Sequence, residues 1–330
     1  MTKWERVQAA LKGAPVDRVP VSLWGHDFLR EWSAESLAEA MLERHRKYDW
    51  DFMKVNPRAS SFVEDWGCRY QPSGDPLVAP ALLECPVSNL SDWGKLRPPD
   101  PSRGVLGEQL LALRLIRDGL AGDAPFAQTV FSPLSIAGRL AGGRAELVKE
   151  TMSREPQTLH RVLSLIVETF IHYSQSCMAE GASGIFFATT VWASRDLLDE
   201  EGYREFGVPY DLQVLNAVQG APFNILHICG SNIFFDLLAD YPVQAISWAA
   251  SLPGNPTLRE GLSRTRRAII GGISEKTTLV ESTPQEVAAQ ARKALEETGG
   301  RRFLLGPGCT MPPQTPEANL RAVRQSVQLP

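Results

Sequence analysis

Residues 156–188 read PQTLHRVLSLIVETFIHYSQSCMAEGASGIFFA and predict a long helix followed directly by a buried strand. The helix is expected over 156–180 and is stopped by Gly181, and residues 184–188 form a short continuous apolar run typical of a strand buried on both faces. A second unit of the same kind follows, with a mostly helical stretch at 203–218 and a strand at 223–227. This alternation indicates a parallel sheet covered by helices.

The same alternation extends over the whole chain. Eight short strands are predicted, at 19–23, 52–55, 126–131, 184–188, 223–227, 245–247, 268–271 and 303–305. Most of them are followed by a helix, and eight βα units in this length predict an α/β protein with a TIM (β/α)8 barrel. A doubly wound sheet is the alternative, disfavoured because no glycine-rich phosphate turn follows the first strand. We expect one domain over 1–330, with an irregular insertion at about 57–101.

Capping sequences place several helix starts. Thr2 and Glu5 form a capping box at the first helix, and Thr283 and Glu286 form a second one. Further helices are expected over 33–48, 107–119 and 233–238, and the last helix is expected to begin near Thr315.

Composition and charge exclude several classes of protein. The 330 residues are 43% hydrophobic and 22% charged, which is typical of a globular chain rather than a disordered or coiled-coil one. A net charge of -4 without a basic stripe argues against nucleic acid as a partner. The apolar runs are too short to span a membrane, and the first residues do not resemble a secretory signal. Five scattered cysteines do not form a disulfide framework, so we expect a cytoplasmic protein.

Three residues at two strand ends form the candidate site. His227 and Cys229 end an apolar strand two residues apart, so their side chains point to the same side, and Gly230 follows them. Cys309 follows the last predicted strand. Residues just past strand ends face the mouth of a barrel, where two thiolates and one imidazole would form a three-ligand zinc site with an open fourth position. The alternative is that both cysteines are core residues and that the histidine is only hydrogen-bonded.

Other polar residues near strand ends complete the candidate site. We predict no catalytic side chains beyond the metal ligands, and Glu64 is a possible fourth ligand. Asn56 and Arg58 follow the second strand, where they hold either a polar or anionic substrate group or the loop itself. His26 and Asp27 follow the first strand and are candidates for substrate binding or for capping and ion pairing.

Several segments resemble the uroporphyrinogen decarboxylase superfamily. They are Arg6-Val7-Gln8-Ala9-Ala10-Leu11-Lys12-Gly13, Val16-Asp17-Arg18-Val19-Pro20-Val21, Ser132-Pro133-Leu134, Gly254-Asn255-Pro256, Gly308-Cys309-Thr310-Met311-Pro312 and Pro316-Glu317-Ala318-Asn319-Leu320. They follow one another in order and cover nearly the whole chain. The resemblance implies a TIM barrel.

Two branches of that superfamily differ in chemistry. The decarboxylases carry an arginine pair shortly after the first strand, whereas residues 23–28 here contain no arginine and the first one is Arg30. The pattern of His227, Cys229 and Cys309 is similar to the zinc motif of the corinoid-dependent methyltransferases, including the methylcobalamin:coenzyme M enzymes. The resemblance therefore implies a zinc-dependent methyltransferase that uses a methylcorinoid as co-substrate.

The implied reaction moves a methyl group from cobalt to a thiol or a similar small-molecule acceptor. Zinc lowers the pKa of a bound thiol, and the thiolate is the reactive nucleophile. No Asp-x-His-x-x-Gly corinoid-binding sequence is present, so the methyl donor is expected to be free methylcobalamin or a separate corinoid protein. The alternatives are a uroporphyrinogen decarboxylase, which needs no metal, and a non-catalytic barrel subunit of a methyl-transfer complex.

Overall fold

Helices and strands alternate along residues 1–327, the part of the chain that the computed structural model describes. The α-helices are α1 (Lys3–Leu11), α2 (Ala34–Tyr48), α3 (Ser61–Glu64), α4 (Gly104–Leu120), α5 (Pro133–Leu140), α6 (Ala145–Arg154), α7 (Pro156–Ala179), α8 (Glu200–Phe206), α9 (Val208–Asn216), α10 (Phe235–Leu238), α11 (Leu258–Arg264), α12 (Thr278–Glu281), α13 (Pro284–Thr298) and α14 (Glu317–Gln325). Short 3-10 helices cover Leu90–Lys95 and Thr190–Ala193.

Seven of the strands form one parallel sheet. The strands are β1 (Met53–Val55), β2 (Arg69–Gln71), β3 (Ala81–Glu84), β4 (Phe126–Phe131), β5 (Gly184–Ala188), β6 (Ile225–Ile228), β7 (Ala245–Trp248), β8 (Ala268–Ile273) and β9 (Phe303–Pro307). The sheet order is β1-β4-β5-β6-β7-β8-β9, and β2 and β3 form a separate antiparallel pair. The chain is thus an α/β protein with a parallel sheet, and seven of the eight predicted strands lie in it.

The eighth predicted strand, residues 19–23, is not a regular strand. Val21 makes a single parallel bridge to Leu305 of β9, supported by hydrogen bonds from the Ser22 N–H to the Leu305 carbonyl (3.1 Å) and from the Leu305 N–H to the Pro20 carbonyl (2.9 Å). On the other side, the Asp51 N–H donates to the Val21 carbonyl at 2.9 Å. A regular ladder does not form because Pro20 has no N–H to donate.

Buried ion pairs hold this N-terminal segment in place. The Asp51 carboxylate is fully buried and accepts hydrogen bonds from Arg6 Nη1 (2.7 Å), Arg18 Nη2 (2.9 Å) and the Val21 N–H (2.9 Å). Arg6 also pairs with Asp17 at 2.7 Å, and this guanidinium lowers the pKa of the Asp17 carboxyl. Helix α1 and the segment after it are therefore tied to the residues that lead into β1.

Residues 57–101, expected to be an irregular insertion, contain regular structure. Helix α3, the β2–β3 hairpin and the first 3-10 helix all lie in this stretch. The residues of β3 are all exposed and those of β2 are exposed or half-buried, so neither strand shows the polar and apolar alternation that would have predicted it.

The helix predicted over 203–218 is broken in two. Helix α8 ends before Gly207, and α9 begins with a proline in its first turn. A side chain at Gly207 would meet the ring of Tyr203 at 2.7 Å, and Pro209 cannot continue a helical hydrogen-bond ladder. By contrast, α7 runs from Pro156 to Ala179, close to the predicted bounds.

Apolar side chains fill both faces of the sheet. The larger cluster lies between the sheet and the helices, with α7 contributing a buried face. A second cluster lies on the inner side of the curled sheet and includes Trp24, Phe52, Phe186, Phe223 and Leu304. In the described part of the chain, no helix combines the length and apolar character needed to cross a membrane.

Candidate metal centre

His227, Cys229 and Cys309 lie together at the carboxyl ends of the parallel strands. His227 is in β6, Cys229 directly follows β6, and Cys309 is the second residue after β9. One donor atom from each of the three residues lies within 4.8 Å of the others, and the two Sγ atoms are 3.7 Å apart. Because β7 and β8 separate β6 from β9, the two strand ends meet only through the curl of the sheet.

Glycines allow the backbone to turn next to both cysteines. Gly230 has φ +98°, in the left-handed region that favours glycine. Gly308 is crowded instead. A Cβ there would lie 2.8 Å from the Ala249 Cα and 2.8 Å from Glu275 Oε2, so only a glycine fits between these groups.

The donor geometry fits a zinc ion. Zinc–sulfur bonds of about 2.3 Å in a tetrahedral site place two sulfurs about 3.8 Å apart, close to the observed 3.7 Å. His227 is buried, its Nδ1 lies 3.3 Å from the Ser247 Oγ, and its Nε2 has no hydrogen-bond partner among the described residues. A buried nitrogen without a partner is costly unless it binds a ligand. His227, Cys229 and Cys309 would hold the ion.

The two thiols differ in acidity. The hydrogen bond between them lowers the pKa of the Cys309 thiol and raises the pKa of the Cys229 thiol. Burial opposes ionisation of both, and His227 further favours the Cys309 thiolate. The cluster therefore already favours one thiolate, which is the form that binds metal.

Lys54 lies beside this cluster in a buried position. Its ammonium is 4.9 Å from the centroid of the Phe186 ring, and Phe186 stacks on His227 with 5.2 Å between ring centroids. Burial lowers the pKa of Lys54 to about 8, against the opposing charges of Cys309 and Glu31. Lys54 belongs to the second predicted strand, whose end was expected to line the barrel mouth, and it lies in β1 of the sheet that carries the site.

Glu275 lies near the cluster and was not predicted from the sequence. It is 4% exposed and lies two residues after β8, and burial is the main cause that raises its pKa, with the Cys309 thiolate adding to the effect. No side chain among the described residues donates a hydrogen bond or an ion pair to its carboxylate. The rule that residues after strand ends face the mouth of a barrel would have identified it, because 268–271 was a predicted strand.

The carboxylate of Glu64 pairs with Arg58 instead of joining the cluster. Arg58 Nε donates to Glu64 Oε1 at 2.8 Å, and Arg58 Nη1 donates to Glu108 at 2.7 Å and to the Glu31 carbonyl at 2.9 Å. Glu64 does not belong to the compact three-donor group. Electrostatic attraction to a buried guanidinium explains this placement, so Arg58 acts as a loop anchor and Glu64 is not placed as a fourth ligand.

The remaining predicted residues lie near β1 and the N-terminal segment. Asn56 is buried and accepts a hydrogen bond from Lys54, while its amide nitrogen has no partner among the described residues. The ring of His26 lies 2.8 Å from the buried carboxylate of Glu31, and the Asp27 N–H donates to the same carboxylate at 2.7 Å. The Asn56 amide nitrogen is therefore available to a substrate, whereas His26 and the Asp27 N–H contact the Glu31 carboxylate.

Comparison with known proteins gives similarity over nearly the whole chain. The family model described as uroporphyrinogen decarboxylase (URO-D) matches residues 2–329. The methylcobamide:CoM methyltransferase MtbA of Methanosarcina acetivorans is 24% identical, with 97% of this chain and 96% of the relative covered. A uroporphyrinogen decarboxylase of Prochlorococcus marinus is 25% identical but covers only 73% of this chain and 68% of the relative.

A solved structure has the same fold. It is a methyltransferase from Methanosarcina mazei, with a TM-score of 0.86 and 25% sequence identity, and the match covers 99% of this chain and 98% of that one. The relative and the solved structure described here that match nearly the whole chain are both named as methyltransferases.

Proposed function

Because the chain belongs to the uroporphyrinogen decarboxylase (URO-D) family, we propose that it is a zinc-dependent methyltransferase that moves a methyl group from a methylated corinoid to a thiol. The observation that carries this proposal is the convergence of His227, Cys229 and Cys309, two thiols and an imidazole nitrogen without a partner. This donor set is of the kind found in catalytic zinc sites with an exchangeable fourth ligand. The full-length similarity to a methylcobamide:CoM methyltransferase supports the same reaction.

The residues around the cluster prepare the acceptor for reaction. A bound metal would lower the pKa of the acceptor thiol, so that the acceptor is held as a thiolate at neutral pH. Ser247 contacts the Nδ1 of His227 and the ring of Phe186 stacks on its face, which leaves the His227 Nε2 without a partner among the described residues. The Lys54 ammonium adds a positive charge near Cys309, which offsets the negative charge of an additional thiolate.

The methyl donor binds from outside the chain. The acceptor sulfur forms a bond to the methyl carbon while the cobalt–carbon bond breaks, and its electron pair stays on the cobalt. The sequence contains no Asp-x-His-x-x-Gly motif, so the donor is a free methylcobalamin or a methylated corinoid on a separate protein. The carboxyl ends of the strands are the side from which it approaches.

We also propose that the sheet closes into an eight-stranded barrel and that the chain forms one domain. The segment around Val21 lies between β9 and the residues leading into β1, with hydrogen bonds to both neighbours. These contacts support closure of the sheet by an irregular eighth strand. Closure also agrees with the inner apolar cluster, which contains Trp24 from this segment and Phe186 from β5.

Metal analysis and a methyl-transfer assay test the function. Protein purified without a histidine tag should hold about one zinc per chain and should methylate a small thiol from methylcobalamin. Cys309→Ser should lose both the metal and the activity. Cys85→Ser is the matched control, because Cys85 lies outside the cluster and its thiol faces the Val87 carbonyl. A metal-free wild-type protein that converts uroporphyrinogen would instead support the decarboxylase, and zinc without methyl transfer from any methylcorinoid would support the non-catalytic subunit.

A further inference from the structure

We propose that Glu275 supplies a fourth, oxygen ligand to the metal bound by His227, Cys229 and Cys309, and that it occupies this position until an acceptor thiol replaces it. The inference rests on the proposed function, because it requires a metal at the cluster. Glu275 lies outside the three-donor set, and its carboxylate would occupy the fourth coordination position before the acceptor thiol binds.

The strand register places Glu275 level with Cys309. Ile273 of β8 pairs with Pro307 of β9, and the Gly308 N–H donates to the Ile273 carbonyl at 2.9 Å. Glu275 and Cys309 are each two residues beyond this pair, at the same end of adjacent parallel strands. The Glu275 Oε2 atom lies 2.8 Å from the position that a Cβ on Gly308 would take. The carboxylate therefore sits beside the loop that presents Cys309.

In the described part of the chain, the Glu275 carboxylate has a backbone hydrogen bond within its own residue and no side-chain partner. It is 4% exposed, and no side chain among the described residues donates a hydrogen bond or a salt bridge to it. A buried carboxylate without a side-chain partner is unfavourable, and such groups in proteins are normally paired or coordinate a metal. Cys309, at the end of the neighbouring strand, is a second anionic group here once its thiol ionises. A cation between the two groups would stabilise both.

Zinc chemistry favours this assignment over a passive role. Structural and resting catalytic zinc sites have four ligands, and carboxylate oxygens bind at about 2.0–2.2 Å. The Glu275 carboxylate lies beside Gly308 and outside the compact three-donor group, so ligation requires a rotation about its side-chain bonds. Two thiolates and one carboxylate would leave the site with one net negative charge, and the buried Lys54 ammonium lies near enough to Cys309 to offset it. Zinc accepts thiolate sulfur readily, so an acceptor thiolate can replace the harder carboxylate oxygen of Glu275.

Zinc affinity and the spectrum of the cobalt(II)-substituted protein test the assignment. The variants are Glu275→Gln, which keeps the size and loses the charged donor, and Glu275→His, which loses the charge but restores a metal-binding nitrogen. Glu281→Gln is the matched control, because Glu281 lies in α12 close in sequence and its side chain is exposed. Zinc affinity is measured by competition with a chromophoric chelator, and thermal unfolding without metal shows whether each variant folds.

If Glu275 is the fourth ligand, the three variants should differ in zinc affinity and in their cobalt(II) spectra. Glu275→Gln should weaken zinc binding by at least about tenfold, the lower range for groups that support metal sites, and should change the visible cobalt(II) bands. Glu275→His should recover most of the affinity, which a purely electrostatic or structural role would not allow. Glu281→Gln should match the wild type in both measurements.

Two outcomes would overturn the assignment, and they are distinguishable from failure of the proposed function. Unchanged zinc affinity and an unchanged cobalt(II) spectrum in Glu275→Gln, with zinc still lost in Cys309→Ser, would remove Glu275 and leave the metal centre intact. The same holds if Glu64→Gln, and not Glu275→Gln, produces the loss. Wild-type protein that binds no zinc would overturn both proposals together.

Discussion

Replacing Asp211 with asparagine should remove a pH dependence from the stability of the fold. Asp211 lies in α9 and is fully buried, and its Oδ2 accepts hydrogen bonds from the hydroxyls of Tyr203 (2.6 Å) and Tyr241 (3.1 Å). Its Oδ1 has no partner among the described residues. Burial outweighs the two hydrogen bonds and raises the pKa of Asp211 from 3.8 to about 7.

The magnitude follows from the size of this shift. Each pKa unit corresponds to about 1.36 kcal/mol, so the shift corresponds to about 4 kcal/mol. The folded state keeps the Asp211 proton between about pH 4 and pH 7, whereas the unfolded chain has released it. The stabilisation is therefore fully present below the unfolded pKa and is lost as the pH rises through the folded pKa. Against a typical total of 5–15 kcal/mol, a change of about 4 kcal/mol is large.

Urea unfolding of the metal-free protein measures the effect. Asparagine keeps an oxygen to accept both tyrosine hydroxyls and cannot ionise. Between pH 4.5 and pH 7.5, the free energy of unfolding of Asp211→Asn should therefore rise by about 3 kcal/mol relative to that of the wild type. Asp240→Asn is the control, because Asp240 is exposed, and its difference from the wild type should stay constant. A constant difference for Asp211→Asn as well would refute the reasoning.

Three further predictions concern the ion-pair network and the candidate site. Asp51→Ala should lower the free energy of unfolding by about 3–5 kcal/mol in urea titrations, because it leaves two arginines without their buried countercharge, and a loss below about 1 kcal/mol would contradict this. Gly308→Ala should reduce zinc content on metal analysis, since its Cβ would meet Ala249 at 2.8 Å, while Gly220→Ala has open space and should not. Burial lowers the pKa of Lys54 from 10.5 to about 8, so the charged lysine destabilises the folded state at pH 7. Lys54→Met should therefore stabilise the metal-free protein at pH 7 by up to about 3 kcal/mol in urea titrations. The same variant should lose methyl transfer, and full activity would contradict a role for the ammonium.

Local patterns were sufficient for most helices and strands. The capping box of Thr2 and Glu5 begins α1, and that of Thr283 and Glu286 begins α13, because a cap depends on residues within one turn. The apolar run of β5 predicted a buried strand for the same reason. Membership of the compact His/Cys cluster could also be predicted in part, since the spacing of His227 and Cys229 places both on one side of a strand end.

The sequence by itself determined which residue types stand at the strand ends, and the tertiary structure decided which of them meet. Cys309 reaches His227 only because the sheet curls across β7 and β8, and curl and register depend on packing along the whole sheet. Glu64, a plausible ligand by position, is held by Arg58, while Glu275 stands beside Gly308 because β8 and β9 are in register. Distances between strand ends arise from contacts far apart in the chain, and no local sequence window contains them.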